Sequence, residues 1–339
     1  MNKSTEHGFS RREFLAGTST LGAATLLGLP RTAAAEPPPE TRKIRLVDSP
    51  AICRAPEYLA EELLRLEGFS EVEYVKATSD SGPGMMADGR VDITMWDVPG
   101  TIPRLDDAEP VVMLAGIHAG CYELFGNEQV HTIRDLKGKR IGVYALKGGD
   151  HILISIMLAY IGMNPRKDVE WVVGKNLSDA MHFFVEGKVD AFMGFAPEPQ
   201  ELRAKKIGHV IVNTSQDRPW SQYFCCAVSA NRAFIAKNPI ATKRALRAFL
   251  KAADICAQEP ERVARYLVDK GYEPRYEIGR EVLKSLPYAR WRQSNPEDTL
   301  RFYALRLHEA GMLKSSPQKL IAQGTDWRFL NELKKELKT

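Results

Sequence analysis

The sequence predicts an α/β protein built as two similar lobes, and three observations carry that prediction. Strand and helix patterns alternate from Ile44 to Val212, the order expected of parallel sheets covered by helices. The window Asp88-Gly89-Arg90-Val91-Asp92-Ile93 returns as Glu186-Gly187-Lys188-Val189-Asp190-Ala191, each time a helix end, a glycine, a basic residue and an aspartate entering a strand. Beyond Ala233 the strand pattern stops and the chain reads as helical.

Residues 44–47 form the first strand, ended by Asp48-Ser49-Pro50. Pro56 starts a helix, as proline favours the first helical turn, with Leu59, Leu63 and Leu66 on one face and Gly68 as its stop. Residues 72–75 are a second strand. A polar, glycine-rich stretch over residues 79–84 leads to a short helix with Met85 and Met86, and residues 91–96 and 111–116 are the next strands. The pattern then repeats. Residues 139–144 are a strand, and Gly148-Gly149-Asp150 turns the chain into a helix burying Leu153, Ile156, Met157 and Tyr160, with Gly162 at its end. Residues 169–173 are a strand, Ser178 caps the next helix, and residues 189–193 and 209–212 complete the second set. In the tail, Asn238-Pro239 caps a helix, Pro260 starts another and Asn295-Pro296 a third.

The first residues read as an export leader. Arg11 and Arg12 precede a mild apolar run over residues 14–29, and Ala33-Ala34-Ala35 supplies the small residues a signal peptidase reads. The run falls short of the ~20 strongly apolar residues of a membrane span. The paired arginines resemble a twin-arginine signal. The expected organisation is a signal over residues 1–35, cleaved near Ala35, then a stiff, proline-rich linker over residues 36–41. No cysteine stands at the cleavage point, so no lipid anchor is expected. The net charge is +4, and Lys3, Arg11, Arg12 and Arg31 against Glu6 and Glu13 put half of it in the leader. The remainder is near balance, which argues against nucleic-acid binding. The five cysteines (Cys53, Cys121, Cys225, Cys226 and Cys256) are odd in number and scattered. They form neither a disulfide framework nor a zinc spacing. They read as small buried side chains, with one bridge open to them in an oxidising compartment. Cys225 and Cys226 would point to opposite faces of a strand. No metal and no cofactor are expected.

Residues 133–143 (Ile-Arg-Asp-Leu-Lys-Gly-Lys-Arg-Ile-Gly-Val), residues 158–169 with Gly162-Met163-Asn164-Pro165, and residues 186–192 resemble the second lobe of one large family. It is that of the nitrate-, sulfonate- and taurine-type binding proteins of ABC importers (SsuA/THI5-like), related to the thiamine-pyrimidine-synthesis-like, NMT1-like domain. The resemblance spans residues 43–270 or so. It implies a type II periplasmic-binding fold. Lobe 1 would comprise residues 42–126 and 224–339, lobe 2 residues 127–223, with C-terminal helices packed on lobe 1. It also implies a periplasmic carrier, not an enzyme, that closes on a small organic or oxyanion ligand and delivers it to a membrane permease and its ATPase. The carrier is expected to be a monomer. Two alternatives stay open: an enzyme on the same frame, related to pyrimidine and thiamine precursor synthesis, and a ligand-sensing receptor subunit.

In open α/β sheets, ligands sit beyond the carboxyl ends of the strands, so the candidate residues follow each strand. After the first come Ser49 and Arg54, whose guanidinium suits a carboxylate, sulfonate or phosphate. After the third come Trp96, a stacking surface for a flat ligand, and Asp97. His118 follows the fourth. In the second lobe, Gly149, Asp150 and His151 open a helix, where free backbone N–H groups attract anions. Asp150 is also placed to cap that helix and repel an anion, and together with Asp97 it suits an amine or ring N–H. Phe195 walls the site, and Tyr223 lies at the return crossover. The ligand stays open among sulfonate, nitrate, carboxylate, aromatic acid and pyrimidine.

Overall fold

The computed structural model describes residues 36–49, 51–77, 82–175 and 178–338. The expected leader, its paired arginines and the cleavage point near Ala35 lie outside the described residues, as does the start of the glycine-rich stretch over residues 79–84.

The alternation seen in the sequence is present. The first set runs β1 (Lys43–Asp48), α1 (Ala55–Leu66), β2 (Glu71–Lys76), α2 (Gly82–Ala87), β3 (Ile93–Asp97), α3 (Val98–Asp106) and β4 (Val111–Ala119). The second set runs β5 (Tyr122–Gly126), β6 (Arg140–Val143), α4 (Gly149–Tyr160), β7 (Glu170–Val173), α5 (Asp179–Val185), β8 (Ala191–Phe195), α6 (Glu198–Lys205) and β9 (His209–Asn213). β10 (Phe224–Asn231) returns to the first set. The tail follows as α7 (Arg232–Lys237), α8 (Pro239–Gln258), α9 (Pro260–Asp269), α10 (Tyr276–Ser285), α11 (Pro296–Glu309), α12 (Pro317–Gly324) and α13 (Arg328–Glu336).

β1 pairs in parallel with β2, and the Asp92 N–H donates to the Arg45 carbonyl at 2.9 Å, bringing the entry of β3 beside β1. β10 lies between β3 and β4, antiparallel to both. The second sheet has the order β7-β6-β8-β5-β9, parallel where β6 meets β7 and β8 and antiparallel where β5 meets β8 and β9. Read the same way, the first set is β2-β1-β3-β10-β4, so the two halves match strand for strand. The antiparallel members, β5 and β10, are the strands that the sequence pattern does not predict. The expected boundary at residue 126 leaves β5 with the first half. The structure bonds it into the second sheet, through Tyr122 opposite Phe195 and Glu123 opposite Asn213.

The repeated sequence window has a chemical reason. The Asp92 carboxylate accepts the Arg45 N–H at 2.8 Å and pairs with the Arg45 guanidinium at 2.6 Å. The Asp190 carboxylate accepts the Arg140 N–H at 2.9 Å and pairs with the Arg140 guanidinium at 3.4 Å. Each aspartate ties the strand it enters to the first helix-linked strand of its own half. The preceding Gly89 and Gly187 adopt φ of +72° and +70°, the left-handed turn that glycine takes without strain. The carbonyls of Asp92 and Asp190 accept the N–H groups of Asn231, the last residue of β10, and Asn127, just past β5.

The apolar faces close a continuous core. β4 is buried along its whole length, because helices cover it on both sides. α8 packs on α1 and β4, α12 and α13 also reach β4, and α11 touches both α3 and α4. Several local expectations are corrected. Leu66 is 72% exposed and Tyr160 45% exposed, each at the last residue of its helix rather than on the buried face. Ser178 makes no capping hydrogen bond. Asn238 does not cap α8. That role falls to Glu40, whose carboxylate accepts from Ile240 and Ala241 N–H at 2.9 and 2.8 Å. No helix among the described residues is long and apolar enough to cross a membrane.

Candidate functional site

The two halves meet where the end of β3 faces the start of α4. Asp97 leaves β3 and caps α3, its Oδ1 accepting the Gly100 N–H at 2.6 Å. The same oxygen lies against Gly149, the first residue of α4. A Cβ on Gly149 would stand 2.2 Å from Asp97 Oδ1 and 2.8 Å from the Tyr122 hydroxyl. Only glycine permits this approach, so residue 149 is fixed by contact across the seam.

Two cavities flank the seam. One, of about 500 Å³, is lined by Cys53, Cys121, Tyr122, Ala196, Arg203 and Glu281 among others. The other, of about 410 Å³, is lined by Trp96, Gly100, Arg104, Lys147, Gly148 and Gly149 among others.

Three carboxylates stand at this junction. Asp150 is 1% exposed; its Oδ2 accepts the Tyr144 N–H at 2.7 Å, and its Oδ1 has no hydrogen-bond partner. It straps the start of its own helix to the end of β6, and the Asp150 and His151 N–H groups of the helix's first turn also favour its charged form. Glu198, at the start of α6, accepts a short hydrogen bond from the Tyr144 hydroxyl. Burial pushes Asp150 up to about 7, against the opposing Tyr144 N–H. Burial and the nearby Asp150 push Glu198 up to about 7, against the Tyr144 hydroxyl bond. Burial and the charge of Cys226 push Asp97 up to about 7, against the Gly100 N–H. Tyr122, Tyr144 and Phe195 add an aromatic wall, with the Phe195 ring 5.8 Å from Tyr122 and 5.6 Å from Tyr144.

The remaining sequence-predicted residues divide. Trp96 lines the smaller cavity, but its ring also carries the Arg54 guanidinium at 4.7 Å. Arg54 is 4% exposed and already spent: it forks onto Glu57 at 2.6 Å, and donates to the Ser49 carbonyl at 2.9 Å and to Thr94 at 3.2 Å. Ser49 thus supplies a backbone acceptor to Arg54. His118 is fully buried behind the larger cavity, its ring edge-on to Tyr288 at 5.1 Å. His151 is buried against Trp171 at 4.5 Å and accepts the Lys147 N–H at 3.2 Å; burial pulls it down to about 4, keeping it neutral. Tyr223 stacks on Phe302 at 4.2 Å and lines neither cavity. Tyr122, Tyr144 and Glu198 are the residues that the candidate set lacks. Tyr122 sits on a strand absent from the sequence pattern, whereas Glu198 lies just beyond a predicted strand and Tyr144, placed inside the strand read over residues 139–144, follows the observed one, which ends at Val143.

The thiols also converge. Cys121 Sγ lies 2.6 Å from Cys225 Sγ. Donor atoms of Cys53, His118 and Cys226 lie within 4.8 Å of one another, as do those of Cys121, Cys225 and Cys226. Hydrogen bonds from Cys121, Cys225 and Cys53 hold the Cys226 thiol well below its ordinary range. Such a set of soft donors suits thiolate-seeking chemistry. It is assembled from three separate chain segments, so spacing along the sequence does not reveal it.

Two α/β halves of equal strand order, crossing twice and meeting at a cavity-flanked seam, define a periplasmic-binding fold. The chain belongs to the NMT1/THI5-like family, whose model matches residues 66–263, more than half of the chain. Among solved structures it is similar to the alkanesulfonate-binding protein SsuA of Xanthomonas axonopodis pv. citri bound to MOPS. That match has a TM-score of 0.68 and 16% identity, covering 87% of this chain and 100% of the other. It is also similar to the periplasmic nitrate-binding protein NrtA of Synechocystis PCC 6803, with a TM-score of 0.67 and 17% identity, covering 88% and 90%. A curated relative is 4-amino-5-hydroxymethyl-2-methylpyrimidine phosphate synthase THI12 of Saccharomyces cerevisiae, 25% identical over 206 residues. The match takes in 56% of this chain and only 58% of the yeast protein.

Proposed function

We propose that this protein is the solute-binding component of an ABC-type importer, working in the periplasm after removal of residues 1–35 and handing its ligand to a membrane permease and ATPase. The observation that carries the reading is the Asp97–Gly149 contact: residues of opposite halves touch between two cavities, as they do when such a clamp is shut. In this reading the first lobe comprises residues 42–119 and 224–339, and the second begins at Tyr122. The ligand contacts come from Trp96, Asp97, Gly149, Asp150 and Phe195, joined by Tyr122, Tyr144 and Glu198. Ligand that touches both halves only when they are shut shifts the hinge equilibrium toward the shut state. Small-angle scattering tests this: a ligand found by thermal-shift screening should reduce the radius of gyration, and an unchanged radius at saturation ends the clamp. A ligand at one hundred times its dissociation constant stabilises the fold by about 2.7 kcal/mol, well within such a screen.

A second reading, an enzyme of pyrimidine precursor synthesis, draws on the yeast relatives and the converging thiols. Chemical conversion of a bound pyrimidine would favour it; unchanged ligand recovered after long incubation favours the carrier.

A further inference from the structure

We propose that Cys121 and Cys225 join in a disulfide that ties the two crossovers together and encloses the second half, from β5 to β9, in one covalent loop. Its formation is independent of what either cavity holds.

The backbone brings these two residues together. Cys121 lies on the outward crossover, between β4 and β5, and Cys225 at the start of β10, just past the return crossover. Gly120, at a φ of +56°, backs onto the return segment so closely that a Cβ there would stand 2.3 Å from the Ser215 Cα. Beside it, the Tyr122 carbonyl accepts the Thr214 N–H at 3.0 Å and the Thr214 hydroxyl at 2.7 Å. The start of β10 is held in turn by the Phe224 N–H, which donates to Thr299 Oγ1 at 2.9 Å. Phe224 pairs with Ala119 and Cys226 with His118, so Cys225 is the extra residue of a bulge, left without a partner on β4. Bulges re-aim side chains. This one sets Cys225 Sγ 2.6 Å from Cys121 Sγ.

The other thiols fit such a bond less well. Cys226 Sγ comes only within 4.8 Å of these two sulfurs, Cys53 groups with His118 and Cys226 at the same range, and Cys256 belongs to neither group. A bond between the chain neighbours Cys225 and Cys226 would hold their Cα atoms about 3.8 Å apart, below the ~4.4–6.8 Å that a disulfide usually spans.

Cys121 is also within reach of a reagent. It is half-buried and lines the larger cavity, with Cys225 buried behind it. Both are free thiols in this structure, so the bond needs an oxidant, and a small disulfide such as oxidised glutathione serves. The Cys121 thiolate attacks one sulfur of that disulfide and expels one glutathione thiolate. The Cys225 thiolate then attacks Cys121 Sγ and expels the second. The two protein thiols lose two electrons and two protons, and the two departing glutathiones carry both away as thiols. The joined residues stand 104 positions apart, and closing so long a loop restricts the unfolded chain.

Peptide mapping of the full chain, after equilibration with oxidised glutathione, alkylation and digestion, tests the bond. Cys121 and Cys225 should appear in one linked pair of peptides, two hydrogens lighter than the separate peptides, and reductant should release them. Cys226→Ser should keep the link, which assigns it to Cys225, and Cys121→Ser should abolish it. If Cys226→Ser fails to fold, fragmentation of the parent's linked peptides reads the same assignment. Reduction should lower the thermal midpoint of the parent by about 5 °C or more and leave that of Cys121→Ser unmoved. Five fully alkylated thiols in the oxidised sample overturn the bond. So does glutathione left attached to Cys121, a link from Cys121 to Cys226 or Cys53, or a bound metal ion that shields the thiols with no linked peptides.

Discussion

Asp92 and Asp190 make the same bonds in two different sheets. Each accepts the backbone N–H and the guanidinium of one arginine, and each offers its carbonyl to an asparagine that ends an antiparallel strand. The first pair is tighter: Asp92 is 9% exposed and its shortest guanidinium contact is 2.6 Å, against 16% and 3.4 Å for Asp190. Asp92→Ala should therefore cost about 2 kcal/mol and Asp190→Ala about 1 kcal/mol, from lost charge-assisted hydrogen bonds. Urea unfolding of the two variants checks the order; equal losses would show that the stronger geometry carries no extra stability.

Arg54 and Glu57 form a buried pair with side chains 5% and 0% exposed. Removing one partner strands the other in a dry site. Glu57→Leu should cost about 3–5 kcal/mol, and adding Arg54→Leu to it should recover part of the loss. A double variant less stable than Glu57→Leu in denaturant titration would contradict this.

The seam carries a pH signature. Asp150 and Glu198 sit at about 7 when folded, above the ordinary carboxyl value of about 4 in an unfolded chain. Between those values the folded state holds protons that the unfolded chain has released. Their contribution to stability is thus full below about pH 4, falls as pH rises, and is lost above about pH 7. Asp190, Glu336 and Asp135 are shifted downward and act with the opposite sign, so the comparison must be with a variant. An Asp150→Asn, Glu198→Gln protein should lose less stability than the parent between about pH 4.5 and 7.5. Parallel unfolding curves across that range would refute the shift.

Gly149→Ala places a methyl group where the seam has no room. The secondary structure should stay intact by circular dichroism, while the radius of gyration grows because the halves can no longer meet. An unchanged radius would show that the contact does not set the closed state.

The sequence carries the fold further than the site. Parallel strands and their helices are visible because their apolar runs and glycine stops are local, as in residues 44–47 and Gly162. β5 and β10 are not visible: they lie at the crossovers and gain their partners from distant strands, so nothing local marks them. Strand-end logic leads to Asp97, Gly149 and Asp150, which do meet. It also leads to Arg54, whose fate is decided by Glu57 three residues on, a spacing open to inspection but ambiguous without burial. His118 and Tyr223 depend on which side of a strand faces the groove, and bulges in β10 between Phe224 and Ala227 scramble the simple two-residue alternation there.

The position of β10 has a consequence for biosynthesis. It fills the centre of the first sheet, between β3 and β4, yet the ribosome makes it only after all strands of the second sheet. The half that is started first is therefore finished last, and β3 and β4 emerge with open edges that wait for about a hundred further residues at ≈ 5–20 residues per second. During those seconds the nascent chain depends on a chaperone or on fast folding of the inserted half to keep those edges from pairing with a neighbour.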